Sequence, residues 1–162
     1  MELFQSVVYL FLIGVAAHFI GQALPRNWFD PEGISFRMHP WEENGDFYRK
    51  IHIRKWKDKL PDASRVMPDM YRKEISGPPS EESLRRLIEE SCVAEFIHKL
   101  LILLSLGVVK IWAGKNGWFC WLLCVLGNLP FILIQRFNRP RLQAALSRMQ
   151  SKGTNKTTPK GI

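Results

Sequence analysis

The sequence has few cysteines and lacks the short motifs by which many enzymes are recognised. Its three cysteines, Cys92, Cys120 and Cys124, lie in apolar stretches and form no CxxC pair. This argues against a disulfide framework and a cysteine-rich zinc site, and such cysteines behave as small buried hydrophobic residues. No Gly-x-Ser-x-Gly motif and no phosphate-binding glycine loop occurs, so a covalent serine mechanism has no support.

Nucleic acid is not an expected partner, although the chain is basic. The net charge is +8 and the isoelectric point is about 9.7, but no RNA-binding or zinc-finger pattern is present. The lysines and arginines lie beside apolar segments, which is typical of anchoring to anionic lipid headgroups.

Apolar residues are concentrated in three long stretches, and the mean hydropathy of −0.10 hides this. The stretches cover about residues 4–24, 92–112 and 118–135. A helix needs about 20 mostly apolar residues to cross the hydrocarbon core, and the third stretch is short. We therefore predict an all-α integral membrane protein with three transmembrane helices.

The rest of the chain is polar and is predicted to lie at the membrane surface or in solvent. Residues 1–145 are predicted as a single membrane domain, with 25–91 as an interfacial loop and 146–162 as a basic disordered tail. Within the loop, residues 41–60 interleave aromatic and basic side chains, among them Trp56. This composition predicts an amphipathic segment on the membrane surface.

Charge predicts the orientation of the chain. The stretch from Pro25 to Ser91 carries thirteen Lys/Arg residues, which places it in the cytoplasm by the positive-inside rule. The first stretch is preceded by Glu2 and by no basic residue, unlike the apolar region of a secretory signal peptide. We therefore interpret it as an uncleaved anchor. The predicted topology has the N-terminus outside and the C-terminus in the cytoplasm.

Each apolar stretch carries polar groups near its predicted cytoplasmic end. His18, His98 and Asn128 each lie six residues from that end, or about 9 Å inside the edge of the hydrocarbon. Ionisable and amide groups at that depth are costly and usually functional. We therefore predict that they converge on one polar pocket.

The pair Glu95 and His98 is the first candidate for catalysis, because residues three apart share a helical face. The histidine would act as a general base and the carboxylate would orient it. Glu-x-x-His is also half of a carboxylate-histidine metal site, but no second copy occurs, so no metal is expected. A purely structural hydrogen-bonded pair is a further reading. His18, which shares a face with Gln22, is the alternative base.

Substrate binding is assigned to polar residues around this level. Asn128 or Gln22 would donate a hydrogen bond to the developing oxyanion. A run of polar residues follows at the end of the third stretch: Gln135, Arg136, Asn138 and Arg139. Arginine forks bind phosphate bidentately, so Arg136 and Arg139 would hold the phosphates of a substrate. Anchoring to headgroups is the alternative, and it is favoured for Arg141. Trp56 completes the predicted substrate-binding residues.

Three strings together resemble a bacterial family. They are IRKWKDKLPD (53–62), ESCVAEFIHKLL (90–101) and GNLPFILIQRFNRPRL (127–142). They are similar, in order and spacing, to the glycosyl-4,4′-diaponeurosporenoate acyltransferases, and the resemblance covers about Leu24 to Leu142. It implies a small enzyme of the bacterial cell membrane that esterifies a sugar hydroxyl of a carotenoid glycoside with a fatty acyl chain.

The combined expectation is an O-acyltransferase that works at the cytoplasmic leaflet. Its donor substrate would be a thioester of coenzyme A or of acyl carrier protein, and no cofactor would stay bound. The acceptor would be a lipid-linked hydroxyl, and membrane lipids would be partners. Three short spans enclose little volume, so a homodimer or a contribution from the loop is expected. The alternatives are a non-enzymatic membrane adaptor and a transferase of another lipid group.

Overall fold

A computed structural model describes residues 1–60 and 80–157, and no strand occurs among them. Six α-helices are present there, together with short 3₁₀ turns at Arg26–Trp28, Pro40–Gly45 and Lys57–Lys59. The helices are α1 (Glu2–Ala23), α2 (Asp46–Lys50), α3 (Ile53–Trp56), α4 (Glu81–Ser105), α5 (Val108–Ile111) and α6 (Lys115–Thr157).

Three helical stretches are long and apolar enough to cross a membrane, as predicted. They are Glu2–Ala23, Glu81–Ile111 and Lys115–Lys152. Many apolar side chains of the first and third of these stretches are exposed; on α1, Phe4 and Phe11 are examples. A helix satisfies its own backbone hydrogen bonds and can present apolar side chains to lipid. The prediction of an all-α membrane protein with three spans is confirmed.

The chain forms two compact units, each made of two separate stretches of sequence. The membrane unit comprises Met1–Phe29 and Cys92–Gln135, and the polar unit comprises Asp30–Ser91 and Arg136–Ile162. In the membrane unit, α1 ends where the Arg26 side chain Nη1 donates to the Gly21 carbonyl oxygen at 2.9 Å. A basic group there satisfies a carbonyl that has no partner within the helix.

A break between α4 and α5 lies against α1 in the membrane unit. The Tyr9 hydroxyl donates to the Leu104 carbonyl oxygen at 2.7 Å. The backbone tightens at this point, because the Leu106 N–H donates to Leu103 O and not to Ile102 O. The Ile102 carbonyl accepts instead from the Ser105 hydroxyl at 2.8 Å and from Trp121 Nε1 at 3.2 Å. Side chains thus replace the backbone bond that the break removes.

Glycine at position 107 is required by the close approach of α1. A Cβ atom at Gly107 would lie 2.4 Å from the Tyr9 hydroxyl oxygen and 2.7 Å from Cζ. We expect Gly107→Ala to destabilise the protein by about 1–3 kcal/mol, because it displaces Tyr9 and breaks its partly buried hydrogen bond to Leu104. Thermal unfolding in detergent measures this effect.

The matched control for this substitution is Gly127→Ala in α6. A Cβ atom there would meet nothing within 4 Å, and alanine is the better helix former by up to about 1 kcal/mol. The control should therefore unfold at or above the wild-type temperature. Equal unfolding temperatures for the two variants would contradict the close-approach argument.

In the polar unit, α4 begins at a serine cap. The Ser83 N–H donates to Ser80 Oγ at 3.1 Å, and the Ser80 N–H donates to Ser83 Oγ at 3.0 Å. This is the reciprocal arrangement of a capping box, with Ser83 in place of the usual glutamate. The aromatic-basic segment, residues 41–60, packs by two buried hydrophobic side chains, Tyr48 of α2 and Ile53 of α3, and the Tyr48 ring contacts that of Phe137 at 5.6 Å.

The last helix, α6, extends beyond the predicted third span. The prediction of a disordered tail from residue 146 is therefore wrong for residues 146–157, which are helical. α6 continues to Thr157, and only residues 158–162 of that tail lie outside the described part. The polar run after residue 134 ends the apolar stretch but does not end the helix. Ala144, Ala145 and Leu146 favour helix, and Gln150 Nε2 donates to Glu81 at 2.7 Å, a tertiary contact that composition does not reveal.

Candidate functional site

His98 and Asn128 meet in the membrane unit. His98 Nδ1 and Asn128 Oδ1 are 2.8 Å apart, although the residues come from α4 and α6. The imidazole also stacks on the Phe131 ring, with centroids 4.8 Å apart and planes inclined by 9°. One hydrogen bond and one stacking contact therefore fix the position and the tilt of the His98 ring. Two of the three residues predicted to converge on one polar pocket, His98 and Asn128, are therefore in contact.

The second bond of Asn128 determines which nitrogen of His98 carries the proton. Asn128 Nδ2 donates to the Cys124 carbonyl oxygen at 2.8 Å, so the amide presents its oxygen to the imidazole. A carbonyl oxygen only accepts, so His98 Nδ1 is the donor. In a neutral imidazole the other nitrogen, Nε2, then holds the lone pair. That nitrogen has the form required of a general base.

Glu95 is fully buried one helical turn before Lys99. Its Oε1 lies 2.6 Å from Lys99 Nζ, and its side chain is 0% exposed. Residues four apart on a helix face one another, and a buried carboxylate needs such a counter-charge. The orienting bond at His98 Nδ1 comes from Asn128, a residue for which the sequence suggested another role.

A second buried cluster occupies the polar unit and is centred on Glu42 and Arg136. Arg136 Nη2 lies 2.6 Å from Glu42 Oε2, and Arg136 Nε lies 3.2 Å from Oε1. The two side chains are 5% and 1% exposed. Arg136 Nη2 also donates to the Arg37 carbonyl oxygen at 2.8 Å. The guanidinium group thus binds the carboxylate bidentately and holds the preceding loop backbone at the same time.

Two further donors complete the environment of the Glu42 carboxylate. The His39 N–H donates to Oε2 at 2.6 Å, and the Tyr48 hydroxyl donates to Oε1. Burial by itself would raise the pKa of Glu42, but the bonds from Arg136, His39 and Tyr48 hold that pKa below its usual value. Burial and the adjacent carboxylate raise the pKa of Tyr48. Glu42 is therefore ionised and Tyr48 neutral near pH 7.

Arg139 forms a second internal anchor in the polar unit. Its Nε and Nη2 donate to the hydroxyl and the carbonyl of Ser91 at 2.9 and 3.0 Å. Its Nη1 donates to the Phe36 carbonyl oxygen at 2.7 Å, and the side chain is 1% exposed. Arg136 and Arg139 therefore join the loop to α6. Their burial argues against the predicted contact with substrate phosphates.

A family model described as glycosyl-4,4′-diaponeurosporenoate acyltransferase matches residues 25–148. The chain belongs to this family. Its relatives include the glycosyl-4,4′-diaponeurosporenoate acyltransferases of Staphylococcus aureus strains Newman, N315 and USA300. Each is 28% identical over 137 residues, which is 83% of this chain and 81% of the relative. No solved structure gives a significant match.

Membership of the glycosyl-4,4′-diaponeurosporenoate acyltransferase family fixes the class of reaction. The family and the relatives are named as acyltransferases, and three helices of the chain are apolar enough to cross a membrane. The protein is thus a membrane-associated acyltransferase of a family that serves carotenoid biosynthesis. The residues that match the family model include both clusters.

The alternative base, His18, and its neighbour Gln22 lie before the residues that match the acyltransferase family model. His18 is half-buried on α1 and its ring contacts that of Phe19 edge-on at 5.5 Å. Gln22 is exposed on the same helix. The roles predicted for these two residues stay predictions.

The other predicted binding residues occupy varied positions in this acyltransferase. Gln135 is buried and Asn138 is half-buried on α6. Trp56 Nε1 donates to the Ile51 carbonyl oxygen at 3.0 Å, so its indole braces the turn between α2 and α3. Among residues 1–60 and 80–157, no group of three or more His, Cys, Asp or Glu side chains could hold a metal ion.

No pattern in the sequence indicates Glu42, Tyr48 or Ser91 as partners of the arginines. Glu42 is one of thirteen acidic residues between Pro25 and Ser91, and no spacing distinguishes it from the others. Its pairing with Arg136 spans 94 residues. A contact at that separation leaves no periodic pattern in a single sequence.

Proposed function

We propose that the protein transfers a fatty acyl group from a thioester donor to a hydroxyl group of a lipid-linked sugar, with His98 as the general base. The hydrogen bond between His98 Nδ1 and Asn128 Oδ1 carries this proposal. It holds the imidazole in the tautomer in which Nε2 accepts a proton. A histidine oriented by an amide or a carboxylate recurs in enzymes that activate a nucleophile.

The reaction is a direct displacement in which no acyl-enzyme is formed. His98 Nε2 takes the proton of the acceptor hydroxyl while the oxygen attacks the thioester carbonyl carbon. A carbon-oxygen bond forms, and the carbon-sulfur bond breaks as the tetrahedral intermediate collapses. The imidazolium then returns its proton to the leaving thiolate. The products are an ester and a free thiol, and the enzyme regains its starting state.

Chemistry and charge support the proposed donor, acceptor and leaflet. The relatives are named for a glycosylated carotenoid carboxylate, which supports a sugar hydroxyl as the acceptor. Coenzyme A or acyl carrier protein would supply the thioester, and both are cytoplasmic. The thirteen lysines and arginines between Pro25 and Ser91 favour the cytoplasmic side for that stretch, with the N-terminus outside.

The direct test is an assay of the purified protein in lipid nanodiscs. It receives a radiolabelled fatty acyl thioester and a carotenoid glycoside, and the lipid extract is separated by chromatography. We expect label in a new, less polar ester and release of one thiol per ester formed. Absence of ester with both coenzyme A and carrier-protein thioesters would refute the proposal.

Asn128 is proposed as the positioning residue for His98 instead of the oxyanion donor suggested by the sequence. Both of its amide atoms are engaged, the oxygen by His98 and the nitrogen by Cys124 O. We expect Asn128→Ala to lower kcat by about 10²-fold or more, as loss of tautomer control does in related triads, with little change in KM. Asn128→Asp retains the acceptor oxygen and should recover most of the lost kcat.

The matched control is Cys120→Ala, a small substitution at a half-buried position two turns earlier on α6. It should keep wild-type kcat and KM. Equal losses in Asn128→Ala and Asn128→Asp would argue against the positioning role, because an aspartate oxygen can still accept the bond from Nδ1.

A further inference from the structure

Trp41 is held in place at the surface of the polar unit and yet stays half exposed. Its ring meets the Phe47 ring of α2 edge-on, with centroids 5.1 Å apart, and the Arg136 guanidinium carbon lies 5.8 Å from its centroid. The next residue, Glu42, is buried and bound to the same guanidinium group. Nevertheless, 50% of Trp41 is exposed. A tryptophan that packs on one side and is open on the other is typical of the headgroup level of a bilayer.

A second exposed apolar side chain is connected to Trp41 through Arg136. Ile34 is 73% exposed, and the carbonyl oxygen of the next residue, Ser35, accepts from Arg136 Nη1 at 3.4 Å. The Arg136 guanidinium group thus holds the chain beside Ile34 and lies over the Trp41 ring. These two residues are the exposed large apolar side chains in the part of the polar unit that the structure describes. They therefore belong to one region of its surface.

Basic side chains extend from the Trp41 contact along α2 and α3. Lys50 lies three residues after Phe47, and residues three apart share a face of a helix. The exposed Lys50 side chain is therefore on the face of α2 that carries the contact between Phe47 and Trp41. Arg54 and Lys55 of the adjoining α3 are exposed as well. The apolar contact thus continues into a basic surface.

The segment that carries these basic residues is strongly positive. Residues 46–59 contain six Lys/Arg residues and two aspartates. Each aspartate pairs with a base of the same segment, Asp46 with Arg49 and Asp58 with Lys57. The remaining bases therefore leave the segment with an excess of positive charge. An anionic bilayer complements such a surface, because each lysine or arginine near the headgroups contributes to binding.

We propose that five exposed side chains of the polar unit form a docking surface for the headgroups of an anionic bilayer: Ile34, Trp41, Lys50, Arg54 and Lys55. The two apolar side chains enter the headgroup region, and the three bases bind lipid phosphates. Bases alone suit any acidic partner, but an exposed tryptophan beside them is typical of a bilayer interface. The chain also enters the polar unit only seven residues after α1 ends, so a bilayer is always near. The inference does not depend on the proposed acyl transfer.

Photochemical cross-linking of the full chain in nanodiscs tests the contact with lipid. Benzoylphenylalanine replaces Trp41 or, as the control, Glu82, an exposed residue near the start of α4. Lipid adducts are counted by mass spectrometry while the fraction of phosphatidylglycerol in phosphatidylcholine is raised. We expect adducts at position 41 that increase with phosphatidylglycerol, and a control position that does not respond. Absence of lipid adducts at position 41 would overturn the inference.

Charge variants test the basic part of the docking surface with the same readout. Lys50→Gln and Arg54→Gln should each raise the phosphatidylglycerol fraction needed for half-maximal adduct at position 41 by about fivefold, the effect of one basic residue near the membrane surface. Arg148→Gln, which removes an exposed arginine of α6, is the charge-matched control and should leave that fraction unchanged. Lys50 and Arg54 variants that behave like Arg148→Gln would contradict the inference. So would adducts with a protein in place of lipid when the irradiation is repeated in isolated host membranes.

Discussion

His98→Gln is expected to lower the rate of acyl transfer by about 10²–10⁴-fold, the usual contribution of a general base. Glutamine has a similar length and can still donate a hydrogen bond to Asn128 Oδ1. It has no lone pair that can take a proton near neutral pH, so binding should survive while kcat collapses. The measurement is kcat and KM for ester formation in nanodiscs, with thermal unfolding as the check that the variant is folded.

Two other histidines serve as comparisons for His98. His18→Gln removes the alternative base, which lies outside the residues that match the family model, and should keep most of the activity. His52→Asn is the matched control, because His52 is exposed and has a φ of 51°, a conformation that asparagine tolerates. Full activity in His98→Gln together with loss in His18→Gln would transfer the base assignment to α1.

Arg136→Met is expected to destabilise the polar unit by about 3–5 kcal/mol, the cost of leaving a buried charge without its partner. The Glu42 carboxylate would lose both of its bonds to the guanidinium group, and the Arg37 carbonyl would lose a donor. Methionine retains much of the buried aliphatic volume, so the effect reports mainly on the ion pair. Chemical unfolding of the detergent-solubilised protein measures it.

The same pair gives stability a defined dependence on pH. The pKa of Glu42 is lower in the folded protein than the ordinary value of 4.5. Its contribution is therefore complete above about pH 4.5 and is lost as the pH falls through the lowered folded pKa. In Arg136→Met the guanidinium bonds are absent and burial dominates, so this slope should weaken or reverse.

The control and the double variant isolate the pair. Arg148→Met removes an exposed arginine from the same helix and should change stability by no more than about 0.5 kcal/mol. Glu42→Gln combined with Arg136→Met should cost less than the sum of the two single substitutions, because the buried charge disappears with its partner. Strict additivity would show that the two residues do not interact in solution.

The sequence predicted the long helices because their signal is local. Runs of about 20 apolar residues specify a membrane span without reference to any distant residue, and the Ser80 cap lies within one turn of the helix that it begins. The same logic failed at residues 146–157. Polar and basic composition suggested disorder there, whereas α6 continues and Gln150 contacts Glu81 across 69 residues.

The candidate site was predictable in its members and less so in its pairings. The sequence alone predicted that His98 and Asn128 lie at the same depth in the bilayer, because each is the same number of residues from the end of its helix. Helical periodicity also paired Glu95 with His98, and that pairing stays a prediction; the structure shows a bond from Lys99 to Glu95 and one between His98 Nδ1 and Asn128. Which side chains pair depends on how each helix is rotated about its own axis. The length of an apolar stretch does not specify that rotation.

The sequence by itself determined the class of protein, the three spans and the family, because apolar runs and short strings are properties of neighbouring residues. Only the tertiary structure decided what each arginine of the α6 polar run does. Arg136 and Arg139 enter the interior because Glu42, Ser91 and loop carbonyls from distant parts of the chain satisfy their donors. Arg141, two residues further along the helix, has no such partner among the described residues beyond its own helix and stays exposed. Burial of a charge depends on what surrounds it in space, and that information arises only when the chain has folded.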